Sequence, residues 1–189
     1  MCIRDRGNAA NMDPNRLTVK FGLVDNTTQK LIPLSQKSDK LYGTNNSIRA
    51  GQKFKVAVTN SVECYVYVFG EETDGSSYVL FPYTEKHSAY CGIVGTRLFP
   101  RDYSMKADDL GNRDRIAIVV SKVELPYQEL SQALSVSRQG TYQAKLAEVL
   151  GREQIRNVKF GATNDGAIEF DAQLSQGQYY VGAVIELDK

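Results

Sequence analysis

From Glu63 to Pro82 the chain reads Glu-Cys-Tyr-Val-Tyr-Val-Phe-Gly-Glu-Glu-Thr-Asp-Gly-Ser-Ser-Tyr-Val-Leu-Phe-Pro, its densest run of aromatic and β-branched residues. Successive side chains of a strand point to opposite faces, so the alternation of Tyr65, Tyr67 and Phe69 with Cys64, Val66 and Val68 makes both faces apolar. Such a strand belongs between two layers. The polar Glu71 to Ser76 segment has the composition of a turn, and Tyr78 to Phe81 resumes the apolar run until Pro82 stops pairing. The stretch predicts a central β-hairpin.

Other segments follow the same two-residue period. Arg16 to Val24 places Leu17, Val19 and Phe21 on one face, and Ile48 to Thr59 does the same with Phe54, Val56 and Val58. Leu31 to Leu34 reads as a short edge segment and Gln36 to Asn46 as loop. Tyr83 to Gly92 is predicted as loop, and Ile93-Val94, Arg97 to Pro100 and Tyr103 to Ala107 as short strands. Arg115 to Lys122, apolar on both faces, is expected at a sheet centre beside the Cys64 to Phe69 strand. The period then becomes helical. Tyr127, Leu130 and Leu134 follow Pro126, a residue suited to a first helical turn. Thr141 is placed to cap a second helix carrying Tyr142, Leu146, Val149 and Leu150, and Gly151 to end it. Strands return over Asn157 to Ala162, Ala167 to Leu174 and Gln178 to Leu187, the first two joined by a hairpin turn at Asn164-Asp-Gly166. About nine strands and two short helices predict an Ig-like antiparallel β-sandwich with a helical crossover before the last strands.

Composition narrows the function classes. A chain of 189 residues, 42% hydrophobic, has enough material for a core without disulfide staples. Its 23 Lys and Arg balance 22 Asp and Glu and are dispersed among them, which argues against a nucleic-acid footprint. No apolar run approaches the roughly 20 residues of a membrane span. Met1-Cys-Ile-Arg-Asp-Arg6 resembles a translated sequencing-adaptor tag, so residues 1–15 are read as an artefactual, disordered lead and 16–189 as one domain. The true N-terminus is then expected to be missing and the compartment, cytoplasm or cell envelope, stays open. Without Cys2, only Cys64 and Cys91 remain, too few for a disulfide framework.

The Gly51-Gln-Lys-Phe-Lys-Val strand is followed by Tyr65-Val-Tyr-Val-Phe69, Asp74-Gly75, Leu80-Phe-Pro82 and Phe99-Pro100. Arg115-Ile-Ala-Ile-Val-Val-Ser121, Pro126 and a helix complete the series. This order, over roughly Ile48 to Leu134, resembles a bacterial family of domains of unknown function. The family comprises β-sandwich accessory modules attached to caspase-like peptidases, kinases and envelope proteins. The resemblance implies an appended, non-catalytic domain, often C-terminal to a caspase-like peptidase, and brings no catalytic residues with it.

The residues themselves offer little chemistry. His87-Ser-Ala-Tyr-Cys91 pairs an imidazole with a thiol, but no caspase signature surrounds them and incidental loop residues account for both. One His and two Cys do not close a zinc site. Asp108, Asp109, Asn112 and Asp114 around Gly111 depart from the spacing of a calcium loop and read as a solvated turn. No phosphate-binding glycine loop occurs, so neither catalytic residues nor a metal or cofactor is expected. The remaining candidate is a set of aromatic residues near strand ends, Phe81, Tyr83, Tyr90, Phe99 and Tyr103, as a protein interaction surface. The partner expected is the catalytic domain of the parent chain; the alternative is a carbohydrate- or envelope-binding sandwich.

Overall fold

The computed structural model describes residues 13–92 and 95–189. Two sheets face each other. The first contains β1 (Arg16–Asp25), β2 (Leu31–Ile32), β5 (Lys53–Asn60), β9 (Gly95–Phe99), β10 (Met105–Lys106), β12 (Val158–Ala162) and β13 (Ile168–Gln173). Its strands run in the order β10-β5-β1-β13-β12, with β2 also on β1 and β9 on β5. The second sheet contains β3 (Leu34–Ser38), β4 (Leu41–Thr44), β6 (Cys64–Glu71), β7 (Ser77–Phe81), β8 (Tyr90–Cys91), β11 (Arg113–Ser121) and β14 (Tyr180–Asp188). Its order is β3-β4-β14-β11-β6-β7, with β8 also on β6. The helices are α1 (Tyr127–Val136) and α2 (Tyr142–Leu150).

The mainly β sandwich expected from the alternation is therefore present, and β6 and β11 are paired near the centre of the second sheet, Val68 opposite Ile118. The described strands number 14 rather than about nine, because β3, β4 and β8 lie in stretches whose polarity reads as loop. The edge strand β3 tolerates such polarity, since one face and one edge meet water, whereas β4 is interior, between β3 and β14, with Tyr42 to Thr44 buried. The pairing is not antiparallel throughout: β4 runs parallel to β14, Tyr42 opposite Ile185, across a separation in sequence that no hairpin spans. Ile93, Val94 and the adaptor-like run lie outside the described residues.

Period-two alternation decides which residues fill the space between the sheets. Val19, Phe21, Val56 and Val58 from one sheet meet Val66, Val68, Ile118 and Ile185 from the other in one continuous core, each at most 1% exposed. Burying a side chain of this size contributes about 1.5–3 kcal/mol. The opposite face of the second sheet is also covered, which explains why β6 and β11 are apolar on both sides. There α1 and α2 lie across it. Thr141 caps α2 through the Ala144 N–H at 3.1 Å, and Gly151, at φ 55°, ends it. Gly182 of β14 admits α2, since a Cβ there would stand 2.7 Å from a Leu150 methyl. Helix α1 is tied to β7 by Ser135 Oγ, which accepts from the Ser77 N–H at 2.8 Å.

Candidate functional site

Strand pairing divides the outer face of the second sheet into rows. Glu71, Arg115 and Glu186 form a charged row at one end. Phe69, Ala117 and Val184, then Tyr67, Val119 and Gly182, form the two rows on the helix-covered side. The next row crosses four strands as Tyr90, Tyr65, Ser121 and Tyr180. Its outer members retain solvent-accessible surface: Tyr90 is exposed, and Tyr65 and Tyr180 are half-buried. The Tyr65 and Tyr90 rings lie 5.3 Å apart. The Tyr90 hydroxyl donates to Glu63 Oε2 at 2.5 Å, and burial with a Glu153 hydrogen bond pushes the Tyr180 phenol up to about 12.

Beside this row, where the 82–89 loop faces the start of α1, a groove of about 480 Å³ opens. Tyr65, Tyr67 and Tyr127 line it. Tyr67 is fully buried, and its ring stacks on Tyr127 with centroids 5.9 Å apart. Its hydroxyl accepts from the Leu125 N–H at 2.9 Å, so the strand fixes the point at which the chain enters α1. Desolvation, with Glu124 among the contributing charges, pushes the Tyr67 phenol up to about 12. The rim carries Glu85, Glu124 and Glu129 against Lys86 and His87. Two neutral aromatic walls and a net negative rim can hold a cation or a flat polar group.

The five aromatic residues singled out from sequence do not form one surface. Phe81 and Phe99 belong to the core: they are 4% and 6% exposed, and their rings, one from each sheet, pack 4.5 Å apart. Hydrophobic burial at the sandwich end outweighs any surface role for these two. Tyr103 is half-buried, with its hydroxyl donating to Leu80 O at 2.7 Å and its phenol pushed up to about 12 by desolvation. Tyr83 is 66% exposed and meets Tyr103 edge to face at 5.4 Å. Tyr90, 46% exposed, belongs to the tyrosine row instead.

His87 and Cys91 are not brought together as a catalytic pair. His87 Nδ1 lies 2.9 Å from the Thr84 hydroxyl and Nε2 3.6 Å from Asp102. Cys91 is buried opposite Cys64 in the β6–β8 register, both as free thiols. The contact between the two thiols, with burial, pushes Cys64 well above its ordinary range and lowers Cys91, but Cys91 is only 1% exposed and so closed to a substrate. In the acidic turn, the Lys189 ammonium sits 2.6 Å from both Asp108 and Asp114. The two carboxylates thus share one counter-charge from within the chain, and no cluster of three or more His, Cys, Asp or Glu residues suited to a metal occurs among the described residues.

Sequence reasoning missed Tyr65, Tyr67, Tyr127 and Tyr180 as site residues. The i, i+2 spacing of Tyr65 and Tyr67 placed them on one face, but nothing local revealed that helices cover that face only as far as Tyr67. Residues 47–124 match the family model "Domain of unknown function (DUF4384)". The match runs through β5 to β11 and reaches Glu124, so it takes in most of the groove but leaves out β1, β13, β14 and both helices. No curated protein and no solved structure matches the chain. Among the described residues no helix is long and apolar enough to cross a membrane.

Proposed function

We propose that this chain is a non-catalytic accessory domain that docks onto a protein partner, the catalytic domain of its own parent chain, with a caspase-like peptidase as the parent. The observation that carries the reading is the open end of the second sheet, where Tyr83 and Tyr90 flank the 84–89 loop with rings 66% and 46% exposed. Function on β scaffolds gathers in loops held by a rigid sheet, and an exposed tyrosine offers contact area at little cost in the free state. The match to a domain of unknown function supports an appended module, and the resemblance of the strand series supports the peptidase parent.

The test compares the chain with a Tyr83→Ala, Tyr90→Ala variant in binding to the parent's catalytic domain. The expected loss is about 2 kcal/mol of binding with a melting temperature nearly unchanged, because both rings are exposed. Unchanged affinity together with a lower melting temperature would refute docking through these residues.

A further inference from the structure

We propose that the groove between the 82–89 loop and α1 is a recognition site for a cationic side chain, an arginine presented by a basic segment of the protein partner. The inference rests on the docking reading above and narrows it to a partner chemistry. The wall residues come first. Tyr65 and Tyr127 are half-buried and present ring surface to the groove, while the stacked and fully buried Tyr67 backs Tyr127. Aromatic faces attract cations, and a planar guanidinium also stacks on them, which a compact ammonium does less well.

Charge supplies the direction. Glu85, Glu124 and Glu129 contribute three negative charges to the lining against one from Lys86, and His87 is turned toward Thr84 and Asp102. None of the three carboxylates has an ion-pair partner among the described residues, whereas every carboxylate of the charged row at the other end of the sheet has one. Glu129 has a local explanation, because it stands in the first turn of α1 and offsets the positive end of the helix dipole. Glu85 and Glu124 have none. The charge of Glu124 reaches the groove wall, since it is among the causes that raise the Tyr67 phenol. The next row places Glu63 on Tyr90 and Glu153 on Tyr180 at the tyrosine tips, with the Lys122 ammonium 2.8 Å from the Glu63 carbonyl. An acidic peptide or phosphate would meet repulsion from most sides. A neutral sugar would use the rings but leave the carboxylates without a counter-charge.

The experiment uses the 189-residue chain and an end-blocked Gly-Arg-Gly-Arg-Gly peptide, followed by amide NMR shifts and calorimetry. Peptides with Lys or Glu in place of Arg and a neutral gluco-oligosaccharide serve as comparisons. The expected result is a salt-sensitive shift of the Tyr65, Glu85, Glu124 and Tyr127 amides with the Arg peptide. Affinity should fall by about tenfold in a Glu85→Gln, Glu124→Gln variant whose melting curve matches that of the parent. Weaker binding of the Lys peptide supports guanidinium stacking. Equal affinity of the variant, absence of groove shifts at millimolar Arg peptide, or preferential binding of the Glu peptide or the oligosaccharide would each overturn the proposal. Failure here is separable from failure of docking. If the tyrosine variant loses the parent's catalytic domain while the Arg peptide never binds, the docking reading stands and the cation groove falls. If the Arg peptide binds as expected but the Glu variant docks at full strength, the groove stands and the docking reading loses its partner chemistry.

Discussion

The two ends of the outer face of the second sheet are built on the same strands and carry opposite designs. At the charged end, Arg115 bonds Glu186 at 2.8 Å and Glu71 at 3.1 Å, and Arg113 reaches Glu186 at 3.2 Å and Asp188 at 2.6 Å. Lys37 adds Asp188 at 3.0 Å, and Lys145 of α2 adds Glu71 at 3.4 Å. This network closes on itself, as an acidic side chain only 6% exposed, Glu186, requires. At the tyrosine end Glu85, Glu124 and Glu129 share a groove with Lys86 and His87, but none of the three has an ion-pair partner among the described residues. The comparison teaches that charge density alone does not mark a binding site; what distinguishes the two ends is whether the charges are already paired within the fold.

Breaking what both ends share should have the largest effect. Val68, fully buried on the inner face of β6, holds the strand that contributes to both rows. Val68→Asp would leave an unpaired carboxylate between two apolar layers at a cost of several kcal/mol, so the expected outcome is loss of the cooperative melt. A soluble variant with an unchanged melting curve would show that β6 is not central.

Breaking only the charged end should cost less. Glu186→Ala removes the acceptor shared by Arg113 and Arg115, whose side chains are 43% and 37% exposed and regain water. The expected loss is about 2 kcal/mol, or about 4–8 °C in melting temperature for a domain of this size. A shift below about 1 °C in a thermal melt would mean that the network contributes nothing net.

Acid should find the same end. Hydrogen bonds from Lys37 and then Arg113 hold Asp188 below the ordinary carboxylate range, with desolvation pulling the other way. A depressed folded value means that the contribution is fully present above the unfolded value of about 3.9 and is lost as pH falls through the folded one. Melting temperature followed from neutral pH downward is therefore expected to lose the Asp188 contribution only below about pH 4. If Lys37→Gln altered the pH dependence only above about pH 5, the assignment would be wrong.

The smallest effect is expected at the tyrosine end. Glu124→Gln removes an exposed charge without an ion-pair partner among the described residues, so stability should stay within about 0.5 kcal/mol of the parent. A denaturant midpoint lowered by more than that would place Glu124 in the structural network and erase the contrast between the two ends.

Much of the fold was legible because local patterning and global packing agree. The alternation in β1, β5, β6 and β11, the Asp-Gly turn before Ala167, the Thr141 cap and the Gly151 stop all specify their elements through nearest neighbours. The polar strands β3, β4 and β8 were not legible, because their pairing energy comes from partners distant in sequence. The five aromatic residues named from the sequence divide by burial. Tyr83 and Tyr90 are exposed, whereas Phe81 and Phe99 meet across the two sheets, a contact that no local signal announces.

By itself, then, the sequence determined the β class, the two central strands and both helices, since each depends on residue type and short-range period. Tertiary structure alone decided which face of β6 lies under α1, that Lys189 bridges Asp108 and Asp114, and that Tyr65, Tyr67 and Tyr127 share a groove with Glu85 and Glu124. Those juxtapositions join residues tens of positions apart. Strand register and helix docking set them, and the energy that selects the register is spread over the whole core rather than written at the site.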